Sequence, residues 1–250
     1  MEQQTGKPVA TIHRMVMARH VCPWGFKAVD LLRKRGFAVE DHWLTTREAT
    51  DAFKAEHGIR TTPQVFIGGE PIGGYDDLRR YLGLKVRDPQ ATSYVPVIAV
   101  FATAAALALA ASTAAYGSML TAMALQWFGG FAMILLAMLK LQDVESFATM
   151  FLGYDLLAQR WLRYGYLYPF LEWSAGALMA AGVLEVLSIP VAAFIGSVGA
   201  VSVVYAVYVQ KREIKCACVG GSSRVPLGFV SLTENLGMVA MAAWMLTRHI

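Results

Sequence analysis

The feature that most restricts this chain is a long run without charge. From Tyr94 to Leu139, 46 residues, there is no Asp, Glu, Lys or Arg. A helix that crosses a bilayer needs about 20 consecutive apolar residues. The run is therefore long enough for two crossings, and Tyr116-Gly117-Ser118 supplies a turn between them. The remaining charge is divided unevenly around it. Of 40 charged residues, 25 lie in residues 1–93 and 15 in the following 157. The first part reads as a soluble domain (1–84), followed by a linker (85–93) and a membrane domain (94–250).

Five spans are expected in the membrane domain: 94–115, 119–139, 166–187, 190–210 and 229–246. Small residues are dense in them, as expected where helices approach closely in lipid. Residues 142–165 are too polar for a simple span. Phe147, Phe151, Tyr154, Leu157 and Trp161 give that stretch one apolar side, the mark of an interfacial or packed amphipathic helix. Lys140, Arg160, Arg163, Lys211, Arg212 and Lys215 all fall on one side of the resulting weave, and the opposite turns hold no Lys or Arg. The positive-inside tendency then places the soluble domain and the loop after the fourth span on the cytoplasmic face of an inner membrane. Arg248 is the exception. No secretory signal is expected at the N-terminus, because the first apolar run, Ile12 to Ala18, is short and broken by His13 and Arg14. The net charge of +4 sits beside the spans, so it sets orientation and does not point to nucleic acid.

The soluble domain alternates strand and helix. Residues 11–18 read as a strand and 24–35 as a helix stopped by Gly36. Residues 38–44 are a second strand. A capping box at Thr45-Thr46-Arg47-Glu48 opens a helix that ends at Gly58. Residues 64–67 and 70–72 pair across Gly68-Gly69, and a last helix covers 76–82. The order is β-α-β-α-β-β-α. Cys22 stands at the first strand-to-helix junction, where unpaired backbone N–H groups and the helix dipole favour an anion, and a nucleophilic thiolate is an anion. Pro23 suits the first helical turn. A small buried cysteine that only packs is the ordinary alternative.

This order, with Cys22-Pro23-Trp24 at the first helix, resembles the glutaredoxin family over residues 10–83. Thr61-Thr62-Pro63 falls where that family carries Thr-Val-Pro with a cis proline facing the cysteine. Ile72-Gly73-Gly74-Tyr75-Asp76 falls on its glycine-glycine-x-aspartate glutathione site. The resemblance implies an α/β thioredoxin-like fold, with glutathione as cofactor held by Arg19, Pro23, Trp24, Thr62, Pro63, Gly74, Tyr75 and Asp76. Glutathione is a tripeptide with two carboxylates and one amine. The backbone of Thr62 can pair with it as an added strand, the Gly74 and Tyr75 amides can hold a carboxylate, Asp76 the ammonium, and Arg19 the second carboxylate. The departure is Gly25. A dithiol glutaredoxin has Cys-Pro-x-Cys, so the second thiol must come from free glutathione or from elsewhere in the chain.

Elsewhere means Cys216-Ala217-Cys218, which the topology places on the same side of the membrane as Cys22. Two cysteines one residue apart are a dithiol or a soft-metal pair, unless they are inert small residues near a helix end. With the glycines that follow and Val225-Pro226, they resemble the MauE/DoxX-like redox-associated membrane family over residues 119–246. Lys140, Asp143, Phe147, Tyr154 and Pro169-x-x-Glu172 fall on the same pattern. That resemblance implies a part in disulfide maturation of exported proteins. Glu172, one turn into the third span, is either a functional intramembrane carboxylate or an acid paired with Lys140 or an arginine. Glu185 and Glu234, near span ends, are expected to reach water.

The expectation is a glutathione-dependent thiol–disulfide oxidoreductase with Cys22, Cys216 and Cys218 as catalytic residues. Its partners are glutathione, a thiol or disulfide substrate and the lipid bilayer. Two other classes stay open. One is a soft-metal carrier binding mercury or copper through Cys216 and Cys218. The other is an iron–sulfur carrier ligated by Cys22 and glutathione.

Overall fold

A computed structural model describes residues 7–18, 20–86, 88, 91–217 and 225–248. Arg19 and Cys218, both singled out above, lie outside the described residues. The chain forms two compact units, residues 1–89 and 90–250.

In the first unit β1 (Val9–Met17) is the centre of the sheet. It pairs in parallel with β3 (Ala38–Leu44), in the register Val9↔Ala38 to Met15↔Leu44. On its other edge it pairs antiparallel with β4 (Gln64–Ile67), Ala10↔Ile67 to His13↔Gln64. β5 (Glu70–Gly73) follows β4 across the Gly68-Gly69 turn. A two-residue strand, β2 (His20–Val21), folds back on the end of β1 and delivers the chain to the first helix. The helices are α1 (Pro23–Lys34), α2 (Arg47–His57) and α3 (Tyr75–Tyr81). The element order is the one the sequence predicts, with β2 added. The cap of α2 is one residue later than expected. Thr46, not Thr45, accepts a hydrogen bond from the Ala49 amide, 3.1 Å.

Side chains alternate across β1. Ala10 and Ile12 are fully buried with Ala28, Val29 and Leu32 of α1, Val65 of β4 and Leu78 of α3. His13 points to the opposite face. Its ring stacks on His42, 4.8 Å between centroids, and on Phe53 of α2, 4.5 Å, while His57 lies tilted against Phe53, 4.4 Å between centroids. Burial, then the neighbouring His42 and His57, lower the pKa of His13 from 6.5, against a smaller opposing pull from Glu56. The unfolded chain therefore binds a proton at His13 more readily than the fold does, and stability is lost as pH falls below about 6.5. Calorimetry of the full chain in detergent should show the melting temperature of the sheet domain dropping between about pH 7.5 and 5.5. A His13→Phe variant should flatten that slope.

The second unit is helical: α4 (Val95–Tyr116), α5 (Ala122–Leu141), α6 (Val144–Leu152), α7 (Leu156–Arg160), α8 (Leu162–Ala181), α9 (Glu185–Val203) and α10 (Phe229–Thr247). α9 continues into a π-helical segment, Val204–Val209. Among the described residues, four helices are long and apolar enough to cross a membrane: α4, α5, α9 with its π extension, and α10. α8 is also 20 residues long, but its tyrosines, Arg163 and Glu172 make it less apolar. It ends earlier than the expected boundary at 187. Gly182 takes a left-handed conformation (φ +65) that closes α8, and α9 begins at Glu185, so Pro190 lies inside α9 instead of opening it.

Close helix contacts depend on missing side chains. A Cβ at Gly130 of α5 would stand 2.8 Å from the Gly176 carbonyl oxygen of α8, and the converse substitution meets Gly130 in the same way. The polar stretch 142–165 is not one helix. Asp143 and Asp155 each cap a new one, accepting from Ser146 and from Leu157 and Ala158. Phe147, Phe151 and Tyr154 are buried in the bundle core, the packed alternative of the two expected, whereas Trp161 is exposed.

Candidate functional sites

In the first unit Cys22 is the N-cap of α1, in extended conformation (φ −72, ψ 111), with Pro23 opening the helix. Its amide donates to Met15, 3.2 Å, and its carbonyl accepts from Gly25, 3.1 Å. The thiol is free and only 4 % exposed. It lies against the Thr62 carbonyl, Sγ to oxygen 3.9 Å, and Thr62–Pro63 is a cis peptide. Trp24 is half exposed and sits 5.7 Å from the Tyr75 ring, with Lys27 Nζ 4.3 Å over it. Thus Cys22 meets Thr62 beside Pro63, and Trp24 meets Tyr75.

The glycine-rich segment differs in one respect. The Gly74 amide is already engaged, donating to the Asp77 carboxylate, 2.9 Å, in a capping arrangement at the start of α3. Asp77 in turn pairs with Arg80. That leaves the Tyr75 amide and the exposed Asp76 for a ligand.

Gly25 has a reason that the sequence did not disclose. A Cβ there would stand 2.8 Å from Cδ and 2.9 Å from Cβ of Arg14. Arg14 reaches across from β1, buried, and donates through Nε and Nη2 to both oxygens of Asp41, each 2.7 Å. Its guanidinium also lies over Phe26, 4.7 Å from the ring centre. Burial raises the pKa of Asp41, but hydrogen bonds from Arg14 and Trp43 and the Arg14 charge outweigh it and hold the carboxyl below its usual range. The fourth position of the motif is therefore filled by a strand arginine. Gly25→Cys should not restore a dithiol. Overpacking against Arg14 should cost about 1–3 kcal/mol, read as a lower melting temperature. Shortening Arg14 in the same chain should recover part of the loss.

In the second unit Cys216 lies beyond the π segment. A bridge between Lys215 and Pro226 closes the loop, with the Cys216 amide donating to Val225, 2.8 Å, and the Leu227 amide to Ile214, 2.7 Å. Cys216 is disulfide-bonded and has no exposed surface. Ser231 of α10 donates to its sulfur, 2.9 Å. The backbone of Ala217 faces the Tyr154 hydroxyl. A small cavity adjoins the sulfur, bordered by Lys140, Tyr154, Tyr168, Ser231, Glu234 and Asn235.

Lys140, at the last turn of α5, is the centre of that wall. Its ammonium donates to both oxygens of Glu172 on α8, each 2.7 Å, and to Glu234 on α10, 3.0 Å. All three N–H groups are used. The side chains are 2 %, 0 % and 6 % exposed. The pairing of Glu172 with Lys140 is as expected, but Glu234 is almost wholly buried instead of facing water. Being the second carboxylate on the one buried ammonium, it turns inward. Sequence reading missed Ser231, Glu234 and Asn235 as a group. Their spacing (i, i+3, i+4) on a charge-poor helix was the available signal. Among the described residues, no group of three His, Cys, Asp or Glu side chains is placed to hold a metal ion.

Residues 118–248 match the family described as methylamine utilisation protein MauE, and residues 15–72 match glutaredoxin. A probable glutaredoxin of Synechocystis is 34 % identical over 70 residues, 27 % of this chain and 80 % of its own length. Glutaredoxin-1 of vaccinia virus is 34 % identical over 70 residues, 25 % of this chain and 65 % of its own. The hybrid peroxiredoxin hyPrx5 of Haemophilus influenzae is 43 % identical over 60 residues, and this chain spans a quarter of its length (24 % of this chain, 25 % of the relative).

Proposed function

Because this chain belongs to the methylamine utilisation protein MauE family and carries a glutaredoxin domain ahead of that region, we propose that it is a multi-pass, glutathione-dependent thiol–disulfide oxidoreductase. The observation that carries this reading is a free cysteine in one unit and a disulfide in the other. Cys22 is a free thiol and Cys216 is held in a disulfide. The chain has three cysteines, so Cys218 is assigned as the partner of Cys216. A disulfide at that position favours thiol exchange over ligation of a soft metal, which needs thiolates.

The reaction follows from access. Cys216 has no exposed surface and is assigned as the leaving group, so the incoming thiolate bonds to its disulfide partner and Cys216 leaves with the electron pair. The attacking group is the Cys22 thiolate. Gly25 provides no internal thiol to release Cys22, so glutathione attacks the Cys22 sulfur of the mixed disulfide. That frees the Cys218 thiol and leaves Cys22 glutathionylated. A second glutathione restores Cys22 and leaves as glutathione disulfide. Two glutathione molecules are oxidised and one protein disulfide becomes a dithiol. The Thr62 backbone, Pro23, Pro63, the Trp24 and Tyr75 rings, the Tyr75 amide, Asp76 and Arg19 are assigned to glutathione.

α8 is assigned as a fifth crossing. It packs along α5 and α9, and 20 residues at 1.5 Å each span about 30 Å, the hydrocarbon thickness. Lysines and arginines flanking the helices support a cytoplasmic position for Cys22, Cys216 and Cys218. The test is the rate at which glutathione reduces the Cys216 disulfide in the full chain, read by alkylation and mass shift. In a Cys22→Ser variant it should fall to the uncatalysed rate. An unchanged rate would show that the two centres are not coupled.

A further inference from the structure

Reduction of a buried disulfide leaves a problem of charge. When Cys216 departs as a leaving group it carries a negative charge with no exposed surface around it. A thiolate in such surroundings needs a hydrogen-bond donor and then a proton. The donor is present, since the Ser231 hydroxyl already points at the sulfur from 2.9 Å. The proton has a source on the same helix face. Ser231, Glu234 and Asn235 all border the cavity beside Cys216.

We infer that Glu234, with Lys140 and Glu172, stores the proton that Cys216 takes when its disulfide is reduced, and that Ser231 delivers it to the sulfur. This rests on the thiol–disulfide reading above. The three ionised groups sum to one negative charge, because a single ammonium faces two carboxylates. With one added proton the cluster is neutral. Of the two carboxylates, Glu172 accepts two hydrogen bonds from Lys140 and Glu234 accepts one. Glu234 also borders the cavity, so it is the member that exchanges the proton.

The cavity makes the path continuous. It leaves about 20 Å³ for water centres, enough for one water molecule. Asn235 is 7 % exposed, and its Oδ1 has no hydrogen-bond partner among the described residues. Its Nδ2 donates to the Ser231 carbonyl, so the orphan oxygen is fixed in direction. On the α9 side the space is kept by Gly199, where a Cβ would overlap Oδ1 of Asn235. The inferred relay places one water in this gap, bonded to Asn235 Oδ1 and linking Glu234 to Ser231.

The ionisable groups around the path come from each packed element. They are Lys140 of α5, Tyr154 between α6 and α7, Tyr168 and Glu172 of α8, and Glu234 of α10, with Asp155 and Tyr164 one layer out. α9 contributes Gly199 to the wall and no ionisable group among the described residues. In the balanced step the incoming thiolate bonds to the partner sulfur, the S–S bond breaks, and Cys216 takes the electron pair. In one concerted relay Ser231 passes its proton to Cys216 while the water reprotonates Ser231 and the Glu234 carboxyl reprotonates the water, so no serine alkoxide forms. Glu234 later recovers its proton across the 6 % of its side chain that is exposed. Ser231 touches the reacting sulfur, whereas Glu234 and Lys140 act through it as positioning residues.

The test uses dithiothreitol on the full chain in detergent, so it does not depend on Cys22 or glutathione. The rate of reduction of the Cys216 disulfide is measured from about pH 6 to 9 for wild type, Glu234→Gln, Glu234→Asp and Ser231→Ala. Ionisation of the reductant cancels in the ratio of variant to wild-type rates. Glu234→Gln should be slower by about tenfold or more at pH 6 and approach wild type at pH 9. Glu234→Asp should recover part of the loss. Ser231→Ala, which leaves the ion cluster intact, should show the same trend, and the double variant should be no slower than the slower single. A ratio that is flat with pH, or losses that add in the double variant, would overturn the relay. If Glu234→Gln does not fold, a flat ratio in Ser231→Ala alone overturns it. If Cys22→Ser leaves the glutathione rate unchanged while these ratios vary with pH, the coupling fails and the relay stands.

Discussion

The helical unit is organised on one ammonium group. Lys140 holds a carboxylate from each of two other helices, with all three side chains almost wholly buried. Taking such charges out of water costs several kcal/mol per ion. The cluster persists because each N–H of Lys140 has an acceptor. Breaking one partner would strand a buried charge. That requirement fixes how α5, α8 and α10 are rotated against each other. With α10 so turned, Ser231 meets Cys216 and Asn235 meets the gap at Gly199. The chemistry assigned to Cys216 therefore depends on a contact made by other residues.

A corresponding charge organises the first unit. Arg14 sits on the central strand in a face otherwise made of Ala10 and Ile12, and it is kept there by Asp41 on β3. Its stem occupies the volume that the fourth residue of a Cys-Pro-x-Cys motif would fill. The glycine at the motif's fourth position and the buried arginine are thus one structural fact. The domain is left with a single free sulfur at a helix start, against a cis proline. Such a site can form mixed disulfides but cannot close one internally. A membrane-associated thiol redox protein of this kind must find its second sulfur elsewhere, and the helical unit holds a disulfide.

Much of this was legible in the sequence, for definable reasons. Strand alternation, glycine caps and the proline after Cys22 are local signals, and they gave the α/β order within a residue or two. The charge-free run from Tyr94 marked the membrane helices. Helix ends inside apolar sequence were less legible. The boundary between α8 and α9 depends on the left-handed Gly182, not on Pro190, and both residues are plausible punctuation. What stayed hidden was pairing at long range. Glu234 looks like a span-end acid because nothing near it in sequence is basic, and its partner is 94 positions away. Arg14 looks like an interruption of a strand because Asp41 lies on another strand. The Gly74 amide looks free because its use by Asp77 depends on the turn into α3.

The central claim is that Cys22 passes electrons to the membrane disulfide through a direct sulfur–sulfur bond. Mass spectrometry of disulfide-linked peptides from the full chain tests it most directly. With Cys216→Ser and glutathione disulfide supplied as oxidant, Cys22 becomes glutathionylated and the Cys218 thiolate displaces glutathione from it. No Cys216 thiol is present to resolve the product, and the account predicts a trapped peptide joining Cys22 to Cys218. A chain in which Cys22 is found joined only to glutathione, never to a membrane cysteine, would contradict it.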